Sequence, residues 1–278
     1  MSAPEIRRIL FALDAATDAP DSLEAALDIA ERLHAELVGL FVEDMNLLRS
    51  AALPFVRQIS LTAPSWSEFD TGAVERQLRA RAETARQRLE ESARRRRVAF
   101  SFRVARGEVG PEVAAAAADA DLVILEGMAR PVAGGMRLVS SARAAARHAR
   151  STVIVLRQGR MRARHFLVAY DGTPEADKAV ALAALLARAN GAEVLAAILT
   201  GGAAEATALE ARAREIARGM GVNARTEVLG EPTLVDLCAF ARRAENAVLV
   251  VGAESPFARG QAADELMDRV SCPLVIVR

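Results

Sequence analysis

Short apolar runs of strand length alternate along this chain with longer segments whose apolar positions recur at helical spacing. In the N-terminal half the pattern predicts strands near 8–13, 36–42, 98–104, 121–125 and 152–156. Helices are predicted between them, near 20–34, 73–96, 111–119 and 141–149. In the C-terminal half, strands are predicted near 166–170, 193–199, 224–229, 247–251 and 274–277. The matching helices fall near 175–190, 204–218, 232–243 and 261–269. Short apolar strands that alternate with helices are the signature of a parallel α/β sheet. Pro111 and Pro232 stand where a first helical turn tolerates a residue without an N–H.

The pattern is written twice. At a constant offset of 157, Leu10 falls on Leu167, Ala12 on Ala169, Asp14 on Asp171, Ala26 on Ala183 and Ala30 on Ala187. Gly107-Glu108 then matches Gly230-Glu231, the run DLVILEG at 121–127 matches NAVLVVG at 246–252, and both halves close on an apolar run ending in arginine, Arg157 and Arg278. Self-similarity of this kind marks a duplicated domain. We expect two domains, at 1–158 and 163–278, joined by a linker short enough to hold them against each other.

The copies differ in two places. Ala35 to Gly107 spans 72 residues whereas Ala192 to Gly230 spans 38, a surplus that lies mostly in an insertion near 43–72. That stretch carries Trp66, Leu47, Leu48, Leu53, Phe55, Ile59 and Phe69, too apolar a set for a disordered linker. It reads as an excursion packed on its own domain or as a lid or protein-docking surface. The second difference is a loss of four residues from the second copy between the fourth strand and the closing arginine.

Charge is balanced, with 36 basic and 36 acidic residues, and aromatics make up 4% of the chain, so neither a cationic field nor a stacking platform favours nucleic acid. No apolar stretch approaches the about 18 residues of a membrane span, and the N-terminus enters a strand directly. Cys238 and Cys272 show no metal-ligand or disulfide spacing, which suits a reducing compartment. The expectation is a cytoplasmic protein without membrane or nucleic-acid partners. His34, His148 and His165 share no ligand or triad spacing, and no nucleophile is paired with a base. Arg94 to Arg97 read as a solvated helix end facing the dipole, and Arg143, Arg147 and Arg150 as an exposed helix face.

On the strand-end aspartates Asp14 and Asp171, the paired Gly-Glu, the glycines Gly127 and Gly252 after the fourth strands and the closing VIV runs, the chain resembles the universal stress protein family in its tandem form. The resemblance covers nearly everything except the insertion. It implies two open parallel α/β sheets of nucleotide-binding type, about five strands each, and a dimer contact through the last strands. Here that contact would be a homodimer or an internal pseudo-dimer, 152–156 against 274–277. Nucleotide-binding members of the family carry G-x2-G-x9-G-[ST] after the fourth strand, where glycine amides and a helix N-terminus receive phosphate. At that spacing the first copy offers Gly127, then Arg130, then Ser140-Ser141; Gly134 and Gly135 are off register. The second copy, GAESPFARGQAADE from 252, cannot hold the spacing, and Gln261 follows its Gly260. The resemblance further implies that Asp14 and Val42 face the adenosine. The nucleotide constellation is therefore Asp14, Val42, Gly127, Arg130, Ser140 and Ser141, with ATP and magnesium as its cofactor if one is bound. The reading is a non-catalytic stress-response binding module with nucleotide binding weakened or lost. Its rival is an ATP-binding, slowly hydrolysing switch in the first domain. A nucleotidyl-transfer enzyme on a related sheet fits less well, because a metal carboxylate pair and an intact phosphate loop are both missing.

Overall fold

The computed structural model describes residues 5–13, 20–45, 57–59, 66–68, 71–127, 150–157, 161 and 163–278. The first copy contributes β1 (Arg8–Leu13), α1 (Pro20–Leu33), β2 (Glu36–Asp44), β3 (Arg57–Ile59), β4 (Trp66–Glu68), α2 (Thr71–Arg96), β5 (Phe100–Gly107), α3 (Val109–Ala117), β6 (Leu122–Gly127) and β7 (Thr152–Arg157). The second contributes β8 (His165–Tyr170), α4 (Pro174–Asn190), β9 (Glu193–Ile198), α5 (Ala203–Gly219), β10 (Ala224–Val228), α6 (Leu234–Arg243) and β11 (Ala247–Gly252). A 3-10 turn (Pro256–Ala258), α7 (Gly260–Arg269) and β12 (Leu274–Val277) complete it. Within the insertion, β3 and β4 form a small antiparallel pair separate from the main sheet.

Ten strands make one sheet in the order β10-β9-β8-β11-β12-β7-β6-β1-β2-β5. All neighbours run parallel except β12 and β7, which are antiparallel with Leu274 opposite Val155, Val275 opposite Ile154 and Ile276 opposite Val153. Strand direction inverts at that seam, so the C-terminal rims of the two copies lie at opposite ends of the sheet. Side chains alternate across it into two apolar layers, each continuous through both copies. One layer holds Ile9, Phe11, Phe166 and Val168 under α1, α2, α4 and α5; the other holds Leu10, Val123, Leu167 and Leu249 under α3, α6 and α7. The repeat is kept in packing: Ala26, Ala30, Ala183 and Ala187 are all fully buried in the first layer. The copies also meet through the first helices, where Arg32 Nη1 donates to the carbonyl of Ala189.

Three boundaries depart from the sequence pattern. The strand expected near 98–104 is β5 at Phe100–Gly107, and α3 starts early enough to place Pro111 in its first turn. Pro232, by contrast, lies outside its helix. Thr233 caps α6, accepting from the Asp236 amide while the Asp236 carboxylate accepts from the Thr233 amide at 2.9 Å. That reciprocal box satisfies two orphan donors, and so the helix starts after the proline. The helix expected near 141–149 lies outside the described residues.

One buried polar network anchors the second copy. Tyr170, fully buried at the end of β8, donates its hydroxyl to Asp177 Oδ1 at 2.7 Å, and Arg212 on α5 pairs with Asp177 Oδ2. Burial, then the hydrogen bond to the Asp177 carboxylate, pushes the phenol far above its usual range. Truncating Asp177→Ala strands the buried hydroxyl, and we expect a loss of about 1–3 kcal/mol, read as a lower urea midpoint at unchanged m value.

In the first copy, α1 and α2 are tied by Arg96, whose Nη2 and Nη1 donate to Glu24 and Glu31, both at 2.9 Å. Burial alone would raise the Glu24 pKa, but hydrogen bonds from Arg96 and Ser92 and the charges of Arg96 and Arg95 outweigh it and hold the carboxyl below its ordinary value. A depressed folded-state pKa gives stability that is fully present above the ordinary carboxylate pKa of about 4.3. It is lost as pH falls through the depressed value. Glu24→Gln should therefore flatten the acid limb of the stability–pH curve and leave its neutral plateau less affected.

Candidate functional site

Each copy has the strand order third, second, first, fourth, fifth, so the order reverses between β1 and β6 and again between β8 and β11. In open α/β sheets, ligands bind outside the carboxyl ends of the strands at this reversal, where connecting loops diverge. In the first copy, β1 runs between β2 and β6 and brings two of the predicted residues to one rim. Gly127 ends β6, opposite Arg157 of β7. Val42 lies near the end of β2, opposite Ala105 of β5, with its side chain buried in a core layer. Val42 thus shapes the rim from below. Asp14, Arg130, Ser140 and Ser141 lie outside the described residues.

The second copy's rim is described throughout. Asp171, just past β8, accepts through Oδ1 from the amide and the hydroxyl of Thr173 at 3.1 and 2.7 Å, so that oxygen is used inside its own turn. Thr173 in turn caps α4 by accepting from the Ala176 amide at 3.2 Å. Gly172 adopts φ +79°, and a Cβ built there would lie 2.4 Å from Leu209 Cδ2, so α5 seals this turn from outside. Gly252, ending β11, lies against the first turn of α4; its Cβ would meet the Ala176 nitrogen and Glu175 carbonyl carbon at 3.1 Å.

Beyond Gly252 the chain folds back on itself. The Ala253 amide donates to the Val277 carbonyl at 2.7 Å, the Ser255 amide to Gly252 at 3.0 Å and the Ala258 amide to Ser255 at 2.9 Å. The Phe257 amide donates to the buried Ser255 hydroxyl at 3.4 Å, and the Phe257 ring enters the core layer beside Leu266 and Met267. Glu254 and Arg259 close the outside as an ion pair. Acidic side chains line the surrounding turns. Glu175 packs by Gly252, Glu231 lies over Gly201, and Glu205 accepts from Thr200.

The two described histidines do not converge: His165 lies by Glu193 at the start of β8, at 3.7 Å, and His34 is exposed after α1, while His148 lies outside the described residues. Among the described residues no group of three or more His, Cys, Asp or Glu is arranged to hold a metal ion, and no helix is long and apolar enough to cross a membrane.

The family model described as "Universal stress protein family" matches the chain twice, over residues 5–157 and 162–278. The chain belongs to the universal stress protein family. Solved structures share the fold of both copies at low sequence identity. A universal stress protein from Archaeoglobus fulgidus DSM 4304 aligns over 98% of this chain and 96% of its own, with TM-score 0.68 and 14% identity. A functionally unknown protein from Pseudomonas aeruginosa PAO1 aligns over 98% and 92%, with TM-score 0.62 and 18% identity. The cytoplasmic domain of a prokaryotic cation chloride cotransporter aligns over 98% and 95%, with TM-score 0.53 and 13% identity. Among curated proteins none matches.

Two features of this universal stress protein's second rim escape sequence reasoning: the Leu209 seal over Gly172 and the Phe257 plug. Phe257 carries a weak signal, as an aromatic placed where a phosphate-binding loop needs small residues. The Gly172→Ala variant meets both a left-handed backbone and Leu209. We expect it to lose about 1–2 kcal/mol from the backbone term alone, with more added by the displaced leucine, measured by urea unfolding.

Proposed function

We propose that this tandem universal stress protein is a non-catalytic stress-response module that works by binding and regulation. In this reading the second copy is a structural partner domain, and any nucleotide is confined to the first. The observation that carries the reading is the closed turn after β11. Phosphate recognition by a glycine loop requires unengaged amides directed at the anion. Here the Ala253, Ser255, Phe257 and Ala258 amides are bonded within the protein. Opening the turn would break those bonds and expose Phe257, whose burial is worth about 1.5–3 kcal/mol. Carboxylates of Glu175, Glu205, Glu231 and Glu254 around the rim add repulsion toward a polyphosphate.

The test is calorimetric titration of the full chain with ATP and magnesium, beside Asp14→Ala and Ser141→Ala. The reading expects at most weak binding, lost in both first-copy variants. Saturable binding that survives both variants would place nucleotide in the second copy and overturn it. Tight binding of one ATP per chain, lost in both variants, followed by phosphate release would favour the slowly hydrolysing switch instead.

Restoring the family's glycine offers a further check. If Arg130 distorts an otherwise intact loop, relief of about 1–2 kcal/mol of backbone strain in Arg130→Gly should tighten ATP binding by about tenfold.

A further inference from the structure

The two closing arginines cross the seam in opposite directions. The antiparallel register of β7 and β12, continued by two residues, sets Arg157 beside Cys272 and Arg278 beside Ser151. Each arginine therefore stands where the other copy's last strand begins. Arg157 Nη2 donates to the Met267 carbonyl in the last turn of α7, and Arg278 Nη1 donates to the Ser151 carbonyl at 3.3 Å. The Ser151 hydroxyl carries that contact on to the Ala117 carbonyl at the end of α3, at 2.7 Å.

Arg157 is the more constrained of the two. Its Nε is buried and has no hydrogen-bond partner among the described residues. Burial pushes the guanidinium pKa down, with the Asp268 charge opposing. A half-buried cation whose Nε is sealed from solvent is costly to misplace, and its bond to the Met267 carbonyl ties its position to that of α7. Backbone pairing ties the same residue to Gly127 at the root of the first copy's loop. On the far side, α7 packs against the Phe257 turn, and the Ala253 amide is bonded to Val277 beside Arg278.

We propose that Arg157 couples the turn after β11 in the second copy to the end of β6 in the first, so that opening one rim loosens the other. The path runs from Phe257 through α7 and the Met267 carbonyl to Arg157, and across the β7–β6 ladder to Gly127. Coupling of this kind is reciprocal. A partner that engages the second copy's turn would alter the end of β6 in the first copy without touching it. The inference needs no bound nucleotide, so it stands or falls separately from the function proposed above.

Hydrogen exchange of the full chain, read peptide by peptide in a double-mutant cycle, tests it. Phe257→Ala opens the turn, and Phe257→Leu serves as the milder variant if the first unfolds globally, which faster exchange in the control strand β9 would reveal. Coupling predicts about tenfold faster exchange over 253–269 and also over 122–127 and 152–157, with β9 unchanged. In the Arg157→Met background the same opening should leave exchange at 122–127 and 152–157 where Arg157→Met alone sets it. Acceleration confined to 253–269 overturns the proposal, and so does a remote effect of equal size with Arg157 removed.

Discussion

The antiparallel pairing of β7 with β12 is the contact on which the rest of this architecture depends. Three facing residue pairs join two five-stranded sheets into one, and both core layers become continuous across the join. A parallel α/β sheet exposes backbone donors and acceptors along its edge strands, and an apolar edge is a standing invitation to pair with another chain. Duplication lets one edge satisfy the other within the same molecule. The edges that remain, β10 and β5, are the most solvent-exposed strands of the ten-stranded sheet and carry Arg225 and Glu227, and Arg103 and Arg106, respectively. Those charges guard the ends of the sheet against further pairing.

The same seam decides where chemistry can happen. Because strand direction inverts there, the two rims point away from one another and cannot form one shared cleft. Each copy must keep or lose a site by itself, and in the second rim the amides of Ala253, Ser255, Phe257 and Ala258 are bonded internally. Asp171 Oδ1 accepts from Thr173, those four amides donate to nearby carbonyls and a hydroxyl, and Phe257 occupies core volume. Communication between rims cannot be direct, which is why the half-buried arginines at the seam carry weight: they reach from one copy's rim to the other's last helix and to the start of its last strand.

The second copy's rigidity has a local origin as well. Tyr170, Asp177 and Arg212 link the end of β8, the first turn of α4 and the middle of α5, directly beneath the turn that Leu209 seals. The first copy has Leu13 and Pro20 at the positions of Tyr170 and Asp177, so it cannot build this network. Its helices are tied instead by the half-exposed Arg96 cluster, a partly screened arrangement near the surface. Equivalent positions in a duplicated fold have thus been given different means of fixing the same helices.

By itself the sequence determined the duplication, the succession of the ten main-sheet strands and the family, because apolar period, glycine placement and a constant offset are local properties that survive without coordinates; it did not show the β3–β4 pair of the insertion. The Leu10 and Leu167 match, for example, is legible in one dimension and returns as the same core position in three. It also marked the loop after β11 as out of step, since a four-residue loss breaks a spacing. What occupies that loop was decided only by tertiary structure. Nothing in the string GAESPFARG says that Phe257 turns inward or that Leu209, over thirty residues from Gly172, covers its turn. Side-chain direction at a turn depends on which volume the rest of the fold leaves unfilled, and that volume exists only once the sheet has formed. Whether Arg157 meets solvent or a carbonyl of the other copy was settled in the same way, by the sign of one strand pairing.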